Sequence, residues 1–568
     1  MNRLVQSTST DSPQGRERLE PWLARFGSWL LVAIALFLLL PWTLSFPLLD
    51  EDEPINAAKA REMMDAHEWL VPLFNGQPDL EKPPLVFWLM RAGYSVLGAN
   101  GFAARLPSAL ATIGLALVVN AIGRRWFSAR VGFAAAFGLL TCVQVLIVGH
   151  AAVPDMPMVF SVAVAEYACF RLLNHQESRC PWRWFVAMYG ALGLGFLAKG
   201  PIAIVVVLLT LLLYRFLIWR QPIAWRNLGL PWGLAMVAGI VALWAVPVMI
   251  KTQGLAWQIG IRKQVIQGAT HPFNDRPYFV GYYAVTALVS LFPWIAFAGD
   301  GIRALRRRWD ETNAWLVSWL LGLPIALSFY ASQLPHYVLP SFPAFFLIVA
   351  QIVDLQHSSG RWAKVWFYLV MSLYVLGIAG IGIFCLSTEF VSPYTALRTA
   401  ALSTAVVVAG LAGLGLSYRF RWYAGMGAAL VVVAIVPLAL GSALRQVTPA
   451  VQLQELFDQQ PPDAEFVAYG HPRFSLVYYS HRRWTFPKWI SELRPMAQKP
   501  GARVLVLEES RIDVADYFGG RFGGDTPAAV SVRDWMTELN LSNYNVRRIE
   551  GIDSLDPAWI KLAIFYRN

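Results

Sequence analysis

The chain has 568 residues, of which 56% are hydrophobic and only 15% are charged. That much apolar side chain exceeds what a soluble core of this length can hide, so composition excludes a water-soluble globular protein and points to a polytopic membrane protein. The formal charge of +11 does not signal nucleic acid, because the Arg residues fall in short loops between apolar runs, where they encode membrane orientation.

In chain order, apolar runs of membrane-crossing length lie near 28–46, 105–121, 131–149, 155–173, 184–198, 201–219, 231–250, 279–299, 312–330, 337–354, 365–385, 399–416 and 422–442, about thirteen in all. The first is not a cleaved signal, since "SFPLLDEDEP" offers no small-residue cleavage site. Arg16, Arg18 and Arg25, then Arg124, Arg125 and Arg130, then Arg303, Arg306, Arg307 and Arg308 gather in loops on one side. The positive-inside rule makes that side cytoplasmic, which puts the N-terminus inside and the C-terminus outside.

The first external loop, 47–104, opens with "LLDEDEPINAAKAREM", where Asp50, Glu51, Asp52 and Glu53 stand in a row at the exit of the first span. A helical stretch follows with Met63, Met64, Trp69 and Leu70 on its apolar side. A second stretch starts after Pro83 and Pro84; it is apolar, too short to cross, and carries Arg91. Both suit helices lying in the membrane interface. Further external pieces are Asp155 in "AAVPDMPM", Lys199 in "GFLAKGP", a loop with Arg262, Lys263, His271, Asp275 and Arg276, and His336 with Tyr337 in "SQLPHYVLP". Carboxylates and cations are thus mixed at one bilayer depth. The spans themselves have uncharged middles, apart from Glu166 in "VFSVAVAEYACF". The four cysteines lack metal-ligand spacing and read as core residues.

Beyond about residue 443 the composition changes. "AEFVAYG", "RVLVLEES" and "VRRIEGID" read as strands, with helix-like "TPAVQLQELFDQQ" and "AVSVRDWMTELNLS" around them. The expected organisation is a transmembrane domain over 1–443 and a small extracytoplasmic α/β domain over 444–568, without a glycine-rich phosphate fingerprint.

"DEDEPINAAKAREM", "LEKPPLVFW", "AAVPDMPM", "GFLAKGP", "GYYAVTALVSLFPW" and "SQLPHYVLP" together resemble, in this order, the motifs of bacterial aminoarabinose lipid A transferases and the wider protein-mannosyltransferase-like group. The resemblance covers most of Leu48 to Pro340 and is weak over the last spans and the tail. It implies a mainly α, polytopic membrane protein of the GT-C glycosyltransferase fold, using a polyprenyl phosphate sugar as donor. Asp52 and Glu53 match the family's Asp-Glu pair, Glu81 and Lys82 its Glu-Lys-Pro, Asp155 its Asp-x-Pro, and Lys199 its Lys-Gly. The chain departs from the family at Gln333, where Lys is common, and in "IRKQVIQGATHPFNDRP", which replaces an acid-His pair.

The implied reaction makes a phosphate leave while the anomeric carbon becomes cation-like. Cations near the departing phosphate stabilise it, and Lys82, Lys199 and Arg262 are the candidates. Asp52, then Asp155, is the expected base or orienting carboxylate, with Glu53 beside it. Glu81, Tyr337 and His336 are expected to contact substrate. The spacing makes no metal motif, but Glu81 and His271 are ligand types on one face, which leaves a zinc, magnesium or manganese ion open as a cofactor. The expected partners are the polyprenyl phosphate donor, lipid A or another surface-glycan acceptor, and membrane lipids, with the protein a monomer in a bacterial inner membrane. A protein O-mannosyltransferase-like enzyme and a lipid-linked sugar flippase are the competing readings.

Overall fold

The computed structural model describes residues 13–49, 52–174, 182–267, 279–354, 361–370, 372–373, 448–470, 474–513, 530–553 and 558–567. The expected spans 399–416 and 422–442 lie outside these residues, as do Asp50, Glu51 and His271. Helix α1 (Pro13–Ser45) is followed by α2 (Asp52–Asp65), a two-stranded hairpin of β1 (Leu73–Phe74) and β2 (Gln77–Pro78), and α3 (Leu85–Leu97). Then come α4 (Gly101–Trp126), α5 (Ala129–Leu140), α6 (Val143–Gly149), α7 (Asp155–Leu173), α8 (Trp182–Lys199), α9 (Ile202–Leu213) and α10 (Leu230–Lys251). Among the described residues, five helices are long and apolar enough to cross a membrane, or up to seven if each of two bent pairs is one span.

Local chemistry fixes several boundaries. The Asn100 side chain accepts the Ala103 N–H at 2.9 Å and starts α4. Arg124 and Arg125 close its last turn, beside the carbonyl end of the helix. Where α4 meets α5, a Cβ on Gly123 would lie 2.5 Å from the Gly132 Cα, so the two backbones touch in a way only glycine permits.

Two expected spans are bent. The run 131–149 divides into α5 and α6, which meet at 65°, and the run 279–299 divides into Tyr282–Ser290 and Trp294–Arg307, at 108°. The second break contains Pro293, which cannot donate to a helix ladder. Backbone groups freed inside a membrane need partners, and the two breaks supply them to each other. Val143 N–H donates to the Phe292 carbonyl at 3.1 Å, the Cys142 thiol to the Ser290 carbonyl at 3.0 Å, and the Trp294 indole to Thr141 Oγ1 at 3.0 Å.

Burial sorts the bundle. In α7 and in the stretch Pro335–Asp354, 78% of the membrane-length window is buried, against 33% in α1 and 17% in the span ending at Lys251. Helix α7 is therefore central, packed on α4, α8 and α9, and whatever its first residue carries is held rigidly.

Helix α2 differs from its expected interfacial placement. Met63 is fully buried, as are Asn56, Ala57, Ala58, Lys59 and Ala60 to within 1%. The helix packs on α3 and on a short helix, Ser475–Ser480, contributed by the far end of the chain. It is encased in protein because both of its sides find partners. Arg91 likewise is not a surface anchor: it is buried, lies 3.7 Å from the Trp69 ring centroid, and donates to the Glu68 carbonyl.

The end of the chain folds around a five-stranded sheet in the order β4-β3-β5-β7-β6, with β3 (Glu465–Tyr469), β4 (Trp484–Thr485), β5 (Arg503–Asp513), β6 (Asn545–Asp553) and β7 (Ala558–Arg567). β3 runs parallel to β4 and β5, while β7 is antiparallel to β5 and β6. The helix Val532–Leu539 starts on a capping box of Ser531 and Asp534.

Candidate functional site

The backbone leading out of α1 is pinned first. Arg105, on α4 and 1% exposed, donates to the carbonyls of Phe46 and Pro47, each at 2.7 Å, and pairs with both oxygens of Glu53, at 2.7 and 2.8 Å. Glu53 also accepts the Ala152 N–H at 2.9 Å and the Leu49 N–H at 3.2 Å. Its carboxyl is held below the ordinary range: burial opposes the charge, but Arg105 and these donors outweigh burial. Asn56 adds a bond to the Ala152 carbonyl at 2.9 Å. The start of α2 is thereby stitched to the loop just ahead of Asp155.

Asp52, one residue before Glu53, faces the other way. Its carboxylate lies 2.5 Å from Lys82 Nζ and remains 61% exposed. Lys82 comes from the turn between the hairpin and α3, which Pro83 and Pro84 stiffen. The turn is braced by Asp79, whose carboxylate accepts the Glu81 N–H at 3.2 Å and pairs with the buried Lys59 at 2.8 Å. Lys82 holds the Asp52 carboxyl far below the usual carboxylate range; burial opposes this, and Lys199 and His336 add to it. Burial works against the Lys82 charge in turn, but Asp52, Asp155 and Glu81 raise its pKa above the ordinary lysine value.

A second pair completes the cluster. Asp155 at the start of α7 lies 2.5 Å from Lys199 Nζ at the end of α8, and 3.9 Å from His336 Nε2. The Tyr337 ring lies 5.2 Å below the Lys199 ammonium and edge-on to His336. Five separate pieces of chain thus bring Asp52, Lys82, Asp155, Lys199, His336 and Tyr337 to one rim, with Glu81 alongside. Each ammonium has three N–H donors and gives one to its carboxylate, so donors remain for an incoming phosphate.

The remaining sequence candidates divide. Arg262 is exposed on Gln258–Gln267, a segment that meets the Lys82 turn: a Cβ on Gly260 would lie 3.2 Å from the Leu80 carbonyl. Glu53, expected among the catalytic carboxylates, has its oxygens engaged by Arg105 and two backbone amides. The expected metal pair of Glu81 and His271 has one member outside the described residues, and among those described no group of three His, Cys, Asp or Glu side chains could hold an ion. Gln333, at the position where Lys is common, is buried, accepts the Phe279 N–H at 3.3 Å and donates to the Leu327 carbonyl at 3.4 Å.

Sequence reasoning missed Arg105 and Lys59. Arg105 opens an apolar run, and a charge inside such a run ordinarily signals a buried partner. Lys59 carried no comparable signal, since it sits in a polar helix.

These carboxylates and lysines sit together on a mainly helical scaffold that has apolar helices of membrane-crossing length, and comparison with known proteins shows where such a scaffold recurs. Residues 81–250, which hold Lys82, Asp155 and Lys199, match the family model for dolichyl-phosphate-mannose-protein mannosyltransferase. An undecaprenyl phosphate-alpha-4-amino-4-deoxy-L-arabinose arabinosyl transferase 2 of Pseudomonas fluorescens is 31% identical over 57% of this chain and 56% of its own length. The corresponding transferase of Pseudomonas paraeruginosa is 28% identical over 76% of this chain and 79% of its own. The crystal structure of ArnT from Cupriavidus metallidurans in the apo state has the same fold, with a TM-score of 0.75 at 18% identity, covering 96% of this chain and 98% of that one. The form bound to undecaprenyl phosphate superposes with a TM-score of 0.73. The chain is thus similar to these arabinosyl transferases over much of its length and has the fold of ArnT.

Proposed function

We propose that the protein transfers 4-amino-4-deoxy-L-arabinose, or a closely related sugar, from undecaprenyl phosphate to a phosphate of lipid A. The observation that carries this reading is the pairing of Asp52 with Lys82 and of Asp155 with Lys199 on one rim, where a lipid phosphate can dock. The acceptor phosphate oxygen attacks the anomeric carbon as the bond to the donor phosphate oxygen breaks, so one displacement inverts the configuration. The bonding pair leaves with undecaprenyl phosphate. Lys82, Lys199 and Arg262 balance that growing charge in surroundings of lowered dielectric. An acceptor phosphate is already ionised and needs no base, so Asp52 positions the acceptor or the sugar's amino group. Asp155 holds Lys199 in place, and Tyr337 covers it.

The same reading sets the rim in the periplasm of a bacterial inner membrane, with the N-terminus cytoplasmic and about thirteen spans. Residues 1–443 then form the membrane catalytic domain and residues 444–568 a periplasmic α/β domain. The protein works as a monomer.

A second reading, transfer of a hexose to a Ser or Thr hydroxyl, is favoured by the family match over 81–250. A hydroxyl would need a base, and Asp52 is the exposed carboxylate available for it. Mass spectrometry of lipid A and of surface proteins, from cells with and without the protein, tests both. Loss of an aminopentose from lipid A supports the first reading; loss of a hexose from proteins replaces it with the second. Donor lipid stranded on the inner side, with both modifications absent, overturns both in favour of a flippase.

A further inference from the structure

Residues Phe46–Leu49 lead from α1 towards Asp52 at the start of α2, and their backbone is held group by group. Arg105 takes the carbonyls of Phe46 and Pro47, and Glu53 takes the N–H of Leu49. The one residue between them, Leu48, is 2% exposed and is held from elsewhere. Its N–H donates to the Tyr479 hydroxyl at 2.7 Å, and that hydroxyl lies 3.4 Å from the Leu48 carbonyl.

Tyr479 belongs to the helix Ser475–Ser480 of the C-terminal sheet unit. That helix is fixed against α2 by Arg61, which donates to the carbonyls of Tyr478 and Val477 at 2.8 and 3.2 Å. A further tie runs to the hairpin that leads to Lys82. Asn75 and Gly76 form its tight turn, both with positive φ as that turn requires. Asn75 exchanges two hydrogen bonds with the Trp484 backbone, at 2.7 and 2.8 Å. Glu62 of α2 accepts the N–H groups of Asn75 and Gly76, each at 2.8 Å. The sheet unit therefore grips both strands of chain that present Asp52 and Lys82.

We propose that Tyr479 is a positioning residue for the transfer reaction, through which the C-terminal unit sets the place of the Asp52–Lys82 pair. The inference rests on the reading of that pair as the reacting site. The aromatic ring packs against Tyr478 whether or not it bears a hydroxyl. The hydroxyl is the part that binds Leu48. Without it the buried Leu48 N–H must find another partner, and a shift of about 1 Å in the segment is enough to cost up to 100-fold in rate.

The test uses the full-length protein in lipid nanodiscs, with a synthetic undecaprenyl phosphate sugar donor and purified lipid A. Tyr479→Phe is expected to lower kcat about tenfold, while undecaprenyl phosphate still binds with wild-type stoichiometry. Hydrogen exchange of the backbone around 46–53 is expected to rise, with the β5 and β7 amides unchanged. A merely structural role would instead reduce the number of binding-competent molecules and speed exchange throughout the sheet, and that result overturns the proposal. Wild-type kcat in Tyr479→Phe overturns it as well. Arg61→Met, which loosens the same contact from the α2 side, is expected to lower kcat about threefold. If the wild-type protein itself transfers no sugar, the functional reading fails, and the exchange measurement alone then shows whether Tyr479 holds Leu48.

Discussion

Asp52 and Glu53 are neighbours in sequence at the start of one helix, yet they occupy two different regions of the molecule. Asp52 is 61% exposed and shares one lysine at the rim. Glu53 is 11% exposed and is enclosed by a buried arginine and backbone amides. A carboxylate that is to meet a substrate needs open lone pairs, whereas one with every oxygen engaged can only hold its surroundings. On the proposed function the first region does the chemistry and the second holds it rigid, and a turn of about 100° along the helix separates the two side chains.

The largest expected effects fall on the exposed region. Asp52→Asn and Lys82→Ala should each lower transfer at least 100-fold, with insertion and thermal unfolding close to wild type. Transfer assays in proteoliposomes check this, and full activity in either variant would remove that residue from the reaction. Changes on the enclosed side should read out in stability. Glu53→Ala leaves Arg105 charged, buried and unpaired, which costs on the order of 3–5 kcal/mol. Replacing both partners by Met removes the lone charge but also the partners of the Phe46 and Pro47 carbonyls and of the Leu49 and Ala152 N–H groups, so it should recover only part of that loss, as seen by thermal unfolding of the detergent-solubilised protein. If the single and double variants unfold alike, the pair is not the strut described.

Proton concentration separates the regions less sharply. The folded-state pKa of Asp52 is depressed, chiefly by Lys82, so its charge and what it contributes to stability are lost only as pH falls through that depressed value. The Lys82 pKa is raised despite burial, chiefly by Asp52, so its contribution is present below the unfolded value and lost only as pH rises through the raised one. Between about pH 5 and 9 the pair stays ionised. The kcat profile should then show no limb from either group in that window, and an acid limb near pH 5 that disappears in Asp52→Asn would contradict the ion pair.

How much of this could be read from sequence follows the same division. The mainly helical membrane architecture was legible because apolar length and loop arginines report directly on a bilayer. Asp155 and Lys199 were legible as candidates because each sits at the edge of an apolar run beside prolines or glycines, Asp52 because an acidic run meets the exit of a span, and Lys82 through the family resemblance of "LEKPPLVFW". The breaks at Thr141–Cys142 and Leu291–Pro293 were not, since an apolar run has the same composition whether straight or bent, and their hydrogen bonds join residues far apart in sequence. The burial of α2 was hidden for a related reason. Its polar residues Asn56, Lys59 and Arg61 look solvated in a linear reading, but each finds a partner at long range: the Ala152 carbonyl, Asp79, and the carbonyls of Val477 and Tyr478.

The smallest expected effect belongs to Glu166, and it sharpens the contrast between rim and interior. Glu166 lies eleven residues into α7 from Asp155, about 16 Å along the helix by the rise per residue, which places it deep in the bundle. It is fully buried, and one carboxyl oxygen accepts the Thr210 hydroxyl at 2.7 Å. A transporter that couples sugar movement to an ion would depend on such a group, because an ionisable side chain in mid-bilayer is the usual site of coupling. A transferase working at the rim has no use for its charge. Glu166→Gln keeps the shape and can still accept from Thr210, so transfer should stay within about twofold of wild type, the scale of a single neutral hydrogen-bond change. Loss of activity comparable to Asp52→Asn would move the working centre from the rim into the membrane and favour the flippase.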